Sequence, residues 1–364
     1  MKLSFNSTRW LRPRRVFAAA ALVLLAAASL TCSPAYVLRA GWEEGRILSR
    51  RRPIETMIAD PATSDIVREK LQLVQQARTF ATNALDLEAG DSYTTYSRVD
   101  SDTLLLVLAG SAKDRFEPVT WWFPIVGNVP YKGFFDPDDA YDAAADLERR
   151  GFDTYLRPAS AFSTLGWFND PVLSTILDYD DVSLVATVIH ELTHNTIFVP
   201  SQVAFNESFA SFVGDRGAAA YFCALEGETG ARCRLARDAW ADNLVFGGFL
   251  QTLIGDLEAV YARTDVSREE KIRLREAAID AALDEFRTSV LPQLQTRAFR
   301  SFGSRPVNNA SLMARRLYFD RLDRFEAVFQ AHRGDLPATL RAIRGAVDGA
   351  PDPWVALEHA SGGG

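Results

Sequence analysis

The sequence predicts a mainly helical α+β fold, in which a small β-rich segment at about residues 100–160 precedes two adjacent helices that carry the chemistry. Three observations predict it. From Asp181 to Phe198 the chain is apolar at Val182, Leu184, Val185, Val188, Ile189, Leu192, Ile197 and Phe198. The polar exceptions Ser183, Thr187, His190, Glu191 and His194 recur at helical spacing, so they form one stripe on an otherwise buried helix. β-branched and aromatic residues gather in Thr103–Ala109 and Val119–Val126, the strand-rich region before that helix. Beyond Glu207 the helical periodicity is almost continuous.

Taken in order, the first 31 residues read as a targeting segment. Lys2, Arg9, Arg12, Arg14 and Arg15 make a basic start without acids, and Val16 to Leu30 is a 15-residue run of mostly Ala, Leu and Val. That run is short for a membrane span and fits a signal sequence. It ends at Leu30-Thr31-Cys32-Ser33, which resembles the bacterial lipoprotein cleavage box, although Ser29 and Thr31 depart from it. The resemblance implies that Cys32 is acylated, becomes the mature N-terminus and anchors the chain to the membrane of the periplasmic space. Ser33 points to the outer membrane by the same resemblance. An uncleaved anchor and plain secretion are the alternatives.

Residues 32–364 then read as a single domain, with no internal repeat and no strong linker. Ala35–Ser49 and Pro53–Ala59 suggest short helices. Val67, Leu71, Val74, Ala77, Ala81 and Leu85 mark a longer amphipathic one, whose stripe is plain core packing. Gly127-Asn128 before Val129-Pro130-Tyr131 reads as a tight turn. Asp138–Arg150 is a helix closed by Gly151, Thr154–Arg157 a strand, and Ser163–Pro171 an aromatic, turn-rich approach to the polar-striped helix. The two chemistry-bearing helices occupy 181–222, and a helical part follows at 232–348. Ser267-Arg268-Glu269-Glu270 is a capping box, opening a helix with Ile272, Ile279, Leu283 and Phe286. Val307–Ala331 and Pro337–Val347 complete the helical set, and the chain closes in small residues.

Charge excludes one class of partner. Without the five basic residues of the leader, 35 cations face 47 acids, a net charge of −12. An acidic chain lacking any basic cluster interleaved with aromatics is not built for nucleic acid. With Cys32 acylated, Cys223 and Cys233 are an even pair in an oxidising compartment. A disulfide between them would contribute roughly 2.5 to 3 kcal/mol in the chain-entropy description; two buried thiols are the alternative.

The chemistry is concentrated in His190-Glu191-Leu192-Thr193-His194. Two histidines one helical turn apart lie about 40° apart around the axis and about 6 Å along it. Both imidazoles then reach one zinc ion, while Glu191 is free to take a proton from water beside it. Four histidines and 47 acids scattered at random over 364 positions give such a match in below about 1 % of chains, so chance is a poor account. Buried imidazoles and a buried carboxylate need partners, which a metal in a cleft supplies. The third ligand is expected from Glu207, reached after a turn at Val199-Pro200-Ser201. Ala210, Gly214 and Ala218 form a ridge of small residues that lets the second helix approach the first closely. The alternative for Glu207 is an ordinary first-turn acid favoured by the helix dipole, against which Phe205, Phe209 and Phe212 argue by burying the region.

These stretches carry a family resemblance. The histidine motif followed by Asn206-Glu207-Ser208-Phe209-Ala210-Ser211-Phe212 resembles the gluzincin metallopeptidases, and its second half is similar to the membrane-alanyl-aminopeptidase type. More closely, the chain resembles a bacterial aminopeptidase family described as zinc-dependent lipoproteins. That likeness runs through Arg51–Ile54, Asp60–Thr63, Trp122–Gly127, Tyr131–Asp136, Ser163–Pro171, the two helices and Asn308-Asn309-Ala310. There are two departures. The 12 residues between His194 and Glu207 are fewer than in the alanyl-aminopeptidase type, and no Gly-x-Met-Glu-Asn segment is present to hold a substrate's amine.

The resemblance implies peptide hydrolysis at zinc, with an edge strand beside the metal holding an extended substrate by main-chain hydrogen bonds. Gly127–Gly133 is the candidate strand, an ordinary hairpin its alternative. Tyr318 is the candidate donor to the developing oxyanion, with a plain core or surface tyrosine as alternative. Asn195 and Asn206 are candidate hydrogen-bond supports of the ligands. Two rival functions stay open: a non-catalytic zinc-binding envelope lipoprotein, which needs a fourth protein ligand and no Glu191, and an endopeptidase with the same metal site.

Overall fold

A computed structural model describes residues 42, 45–99, 105–123, 127–159 and 170–361. The leader with Cys32, Thr103 at the expected strand start, Pro124–Val126 and Ser163–Asn169 lie outside the described residues. The fold is mainly helical with small sheets, an α+β arrangement.

Two short elements, β1 (Arg52–Pro53) and α1 (Ile54–Ala59), precede the long helix α2 (Asp65–Leu85). Ser64 caps α2 through its side chain, and the buried stripe Leu71, Leu73, Val74, Ala77, Ala81 and Leu85 is core packing as expected. β1 pairs antiparallel with β2 (Thr95–Ser97), which pairs parallel with a later two-residue strand, Val172–Leu173.

The second sheet lies nearer the chemistry. β3 (Leu105–Ser111) is its centre, flanked antiparallel by a strand over Tyr131–Phe134 and by another over Asp153–Ala159. Between β3 and the first of these partners, β4 (Trp121–Phe123) and β5 (Gly127–Val129) make a separate two-stranded ribbon. The three-stranded sheet is then completed by β6 (Tyr131–Phe134) and β7 (Asp153–Ala159), with β8 (Val172–Leu173) following. Gly127–Gly133 is therefore not one edge strand: it divides between two sheets at Pro130. One face of the larger sheet, with Leu108 and Phe134, packs on Ala140, Ala144 and Leu147 of α3 (Pro137–Arg149). Gly151, at φ +85, stops that helix and turns the chain into β7.

The two chemistry-bearing helices are α4 (Asp181–Thr196) and α5 (Val203–Glu226). Asp180 opens α4, accepting from Val182 N and Ser183 N at 3.0 Å each. The helix ends two residues short of the expected boundary, and Phe198 stands 50 % exposed. The turn is instead held by Asn206, whose amide accepts from Val199 N at 2.9 Å and donates to Val199 O at 2.8 Å. α5 ends at Gly227, and Cys223 near its end is joined by a disulfide to Cys233 near the start of α6 (Ala231–Ala262). Phe205, Phe209 and Phe212 of α5 pack with Phe325, and Trp240 and Trp354 close the same cluster.

Helices α7 (Arg268–Glu285), α8 (Asn309–Phe319), α9 (Leu322–Ala331), α10 (Leu336–Val347) and α11 (Pro353–Ser361) follow. Ser267 caps α7 as expected, accepting from Glu270 N at 3.2 Å. The helix expected over Val307–Ala331 is two helices, broken at Asp320 and at Arg321, which is left-handed at φ +49. The break has a visible cause. Ser208 Oγ donates to Leu317 O and accepts from Asp320 N, both at 3.0 Å, taking over backbone groups that a continuing helix would pair. The terminal helix α11, with Trp354 and Leu357 buried, was not expected from the small closing residues.

Helix α8 is fixed equally firmly at its start. Asn308 and Ser311 form a capping box, and Asn308 Nδ2 donates to Thr154 O of β7 at 2.9 Å. Asn309 is fully buried, donating to Ala112 O at 2.9 Å and accepting from Tyr261 Oη at 2.7 Å. Its backbone N–H meets Asp153 Oδ2, to which Arg275 Nη1 also donates at 2.6 Å. The Asn308-Asn309 motif thus locks α8 to the larger sheet at one end, while Ser208 locks it to α5 at the other.

Candidate active site

The polar stripe of α4 is where the core leaves the helix. Ser183, Thr187, His190, Glu191 and His194 are exposed or half-buried, whereas Val182, Leu184, Val185, Val188, Ile189 and Leu192 are buried. Opposite the stripe, α5 approaches so closely that a Cβ on Gly214 would lie 2.6 Å from Ala186 O and 3.1 Å from His190 Cβ. Ala210 and Ala218, the other members of the small-residue ridge, are wholly buried. This close approach brings Glu207, in the second turn of α5, to the two imidazoles.

The three donors converge. His190 Nε2 and His194 Nε2 are 3.3 Å apart, with the rings nearly perpendicular at 82°. Glu207 Oε2 lies 3.5 Å from His190 Nε2, and its Oε1 lies 3.7 Å from His194 Nε2. Among the described residues these are the three side chains whose geometry could hold a metal ion. Glu191 lines the same cleft and makes no hydrogen bond or ion pair among the described residues.

The cleft itself is a polar space of about 350 Å³, with Arg157, His190, Glu191, Asp215, Asn243 and Tyr318 on its walls. Tyr318, near the end of α8, stacks obliquely on His190, with ring centroids 6.3 Å apart and planes tilted 30°. Arg157 of β7 lies 5.8 Å from the Tyr318 ring centroid, and makes no ion pair among the described residues. Among the described strands it is β7 that lines this cleft, through Arg157, Pro158 and Ala159, and no residue of Gly127–Gly133 lines it.

Electrostatics follow from burying several acids together. Burial raises the Glu191 carboxyl to about 7, with Glu207 and Asp170 adding to the rise against His190. Asp215 is raised to about 6, again chiefly by burial, although Asn243 donates to its Oδ2 at 2.7 Å. Burial and the neighbouring His190 push His194 down to about 4. For Glu207 burial acts upward, but both imidazoles and Arg157 outweigh it and hold the carboxyl low. Burial and Glu207 drive the Tyr318 phenol well upward, so it is protonated at neutral pH. Tyr131 at the start of β6 is raised by the same two causes.

Of the residues singled out in the sequence, the structure brings His190, Glu191, His194, Glu207 and Tyr318 together. It does not bring in the two asparagines. Asn206 serves the turn, and Asn195 Nδ2 reaches Ser92 Oγ at 3.4 Å. The disulfide lies at the α5–α6 turn, and Cys32 is outside the described residues. Arg157 and Asp215 were not anticipated, whereas Tyr131 falls within the candidate segment Gly127–Gly133. Asp215 had a usable signal, since it follows Glu207 by two helical turns and returns towards the same side of α5. Arg157 had none, because it reaches the site only through strand pairing.

Comparison with known proteins adds a family. No curated protein and no solved structure matches the chain. The family profile described as "Putative aminopeptidase" matches residues 35–351, which take in both helices, the larger sheet and the Tyr318 helix, and the chain belongs to that family.

Proposed function

We propose that this chain is a zinc-dependent peptidase that removes residues from free N-termini. The observation that carries the reading is the spacing of the three donors. Ligands at about 2.0 to 2.2 Å from one tetrahedral ion are about 3.3 to 3.6 Å apart, and those of His190, His194 and Glu207 are separated by 3.3, 3.5 and 3.7 Å. Two imidazoles and one carboxylate suit zinc. They leave room for water or substrate, which favours an enzyme over a purely structural site. When bound, zinc supplies Lewis acidity to the scissile carbonyl and lowers the pKa of water at the site towards 7.

The chain's own residues do the rest. Glu191, in the cleft beside His190 and without a hydrogen bond or ion pair among the described residues, can take a proton from the attacking water and hand it to the leaving amine. Tyr318, kept protonated, can donate its hydroxyl to the oxyanion. β7, an edge strand among the described residues, offers main-chain groups to an extended peptide beside the histidines.

Purified protein should carry one zinc per chain by elemental analysis, and a chelator should abolish peptide hydrolysis until zinc is returned. Glu207→Ala should weaken zinc binding by more than about 100-fold. Full activity after exhaustive chelation, or an unchanged zinc affinity in the variant, would end the metal reading.

The end of the cleft near His190 supports aminopeptidase action. Asp215 supplies a carboxylate there with one oxygen taken by Asn243, and a charged acceptor is what a substrate ammonium needs. Asp215→Asn should lower kcat/KM on free N-termini by about 10- to 100-fold relative to N-blocked peptides, the effect of one hydrogen bond to a charged group. Zinc content should hold. Loss of zinc, or an equal fall on blocked peptides, would instead make Asp215 a support for His190.

A further inference from the structure

A second cavity adjoins the cleft, and nothing in the hydrolytic machinery uses it. It lies between the larger sheet and α8 and encloses about 230 Å³. Its origin is legible in the register of the sheet. Val107 is paired with Gly133 on one side and Arg157 on the other, and Ala109 with Tyr131 and Tyr155. Alternation along β3 sends Val107 and Ala109 to the face opposite Leu108, which packs on α3. That second face is covered by α8 through Ala310, Met313, Ala314 and Leu317. Ala310 and Ala314 are one helical turn apart and line the gap together with Ala109, so small residues meet across it and the space between them stays open.

The lining is almost wholly apolar, and its polar groups come from Arg157, Tyr131 and Tyr155. Arg157 also lines the cleft that holds His190 and Glu191, and Leu317 is the residue before Tyr318. Tyr131 feels the charge of Glu207. The cavity therefore adjoins the cleft at Arg157. An apolar cavity of about 150 Å³ takes a benzene ring, whereas pockets for drug-sized ligands begin at roughly 300 Å³. This one fits a single large side chain.

We propose that this cavity is the specificity pocket for a bulky apolar side chain, of the leucine or phenylalanine class, on a substrate residue flanking the scissile bond. The inference rests on the peptidase reading above, and it adds which peptides are chosen. Burial of such a side chain in a preformed apolar pocket discriminates against glycine by about 100-fold in kcat/KM. Arg157, at the junction of the two spaces and free of any ion pair among the described residues, is the group placed to hold a carbonyl of the substrate main chain as the side chain enters the pocket.

The test uses the zinc-loaded protein and two peptide series, with Gly, Ala, Leu or Phe varied on either side of the scissile bond. Leu and Phe should exceed Gly at one of the two positions by about 100-fold. Ala314→Phe and Ala109→Leu fill the cavity from opposite walls, so that one serves if the other fails to fold. Both should collapse the Leu-to-Gly ratio towards unity and, as cavity-filling changes, leave thermal stability equal or higher. Calorimetric titration of the zinc-loaded Glu191→Gln protein, in which hydrolysis is suppressed, with leucinamide and glycinamide gives a readout that needs no turnover. Leucinamide should bind more tightly, and only in the protein with its cavity unfilled. Hydrolysis that is indifferent to side-chain size, or a preference that survives both filling variants, would overturn the pocket while leaving the peptidase reading intact. Absence of hydrolysis with selective leucinamide binding would overturn the peptidase reading and keep the pocket. Absence of both would overturn the two together.

Discussion

Glu191→Gln should lower hydrolysis of a good peptide substrate by at least about 100-fold, while zinc content and melting temperature stay close to those of the parent protein. The expectation follows from the position of Glu191. It adjoins His190 on the polar stripe, lines the cleft, and lacks a hydrogen bond or ion pair among the described residues. A half-buried carboxylate without a partner contributes nothing to folding that glutamine could not replace, and its removal relieves part of a desolvation cost. What glutamine cannot do is accept and return a proton. General acid–base catalysis by one side chain contributes typically about 10² to 10⁴-fold, and a 100-fold loss is about 2.7 kcal/mol in barrier. Activity, zinc by elemental analysis and thermal unfolding should be measured on one preparation. A variant that loses zinc or unfolds would show Glu191 to be structural. A fully active variant would place the activity at another site.

The same helix shows what a sequence can disclose. A polar stripe on a buried helix is a local property, written at helical spacing in consecutive residues, and it foretold which side of α4 faces the cleft. The ridge Ala210, Gly214 and Ala218 is equally local, and it foretold the close approach that brings Glu207 to the histidines. Residues that arrive through long-range pairing left no such trace. Arg157 reaches the cleft because β7 pairs with β3 in one register, and a shift of one residue would turn it to the other face.

Short polar side chains misled in a different way. Asn206, beside Glu207, looked like a support for the ligand, yet it spends both ends of its amide on Val199. Asn competes readily for nearby backbone groups, and a turn between two helices has such groups to offer. Ser208 does likewise, and by doing so breaks the late helical region after Tyr318, which periodicity alone had read as one helix.

Gly214→Val should destabilise the fold by about 3 kcal/mol or more and loosen the proposed zinc site with it. A Cβ there would sit 2.6 Å from Ala186 O, a backbone atom that cannot swing aside as a side chain can, and 3.1 Å from His190 Cβ. Valine adds two methyl groups beyond that Cβ, in a seam already at contact. Overpacking of a well-filled core costs typically about 1 to 3 kcal/mol, and a clash with main chain can be relieved only by moving α4 and α5 apart. Separation of these helices also separates His190 from Glu207, whose nearest atoms are 3.5 Å apart. Zinc affinity should therefore fall together with stability, although no ligand has been altered. Gly248 provides the control. It too is a helical glycine, in α6, but it is exposed and has no atom within 4 Å of where its Cβ would stand. Gly248→Ala should raise stability by about 0.5 to 1 kcal/mol through helix propensity alone and leave zinc binding unchanged. Chemical denaturation of both variants, with and without zinc, reads the two signs directly. A tolerant Gly214→Val, matching the parent protein in stability and in zinc affinity, would mean that the two helices do not meet at this seam and that the proposed route from the small-residue ridge to the metal site is wrong.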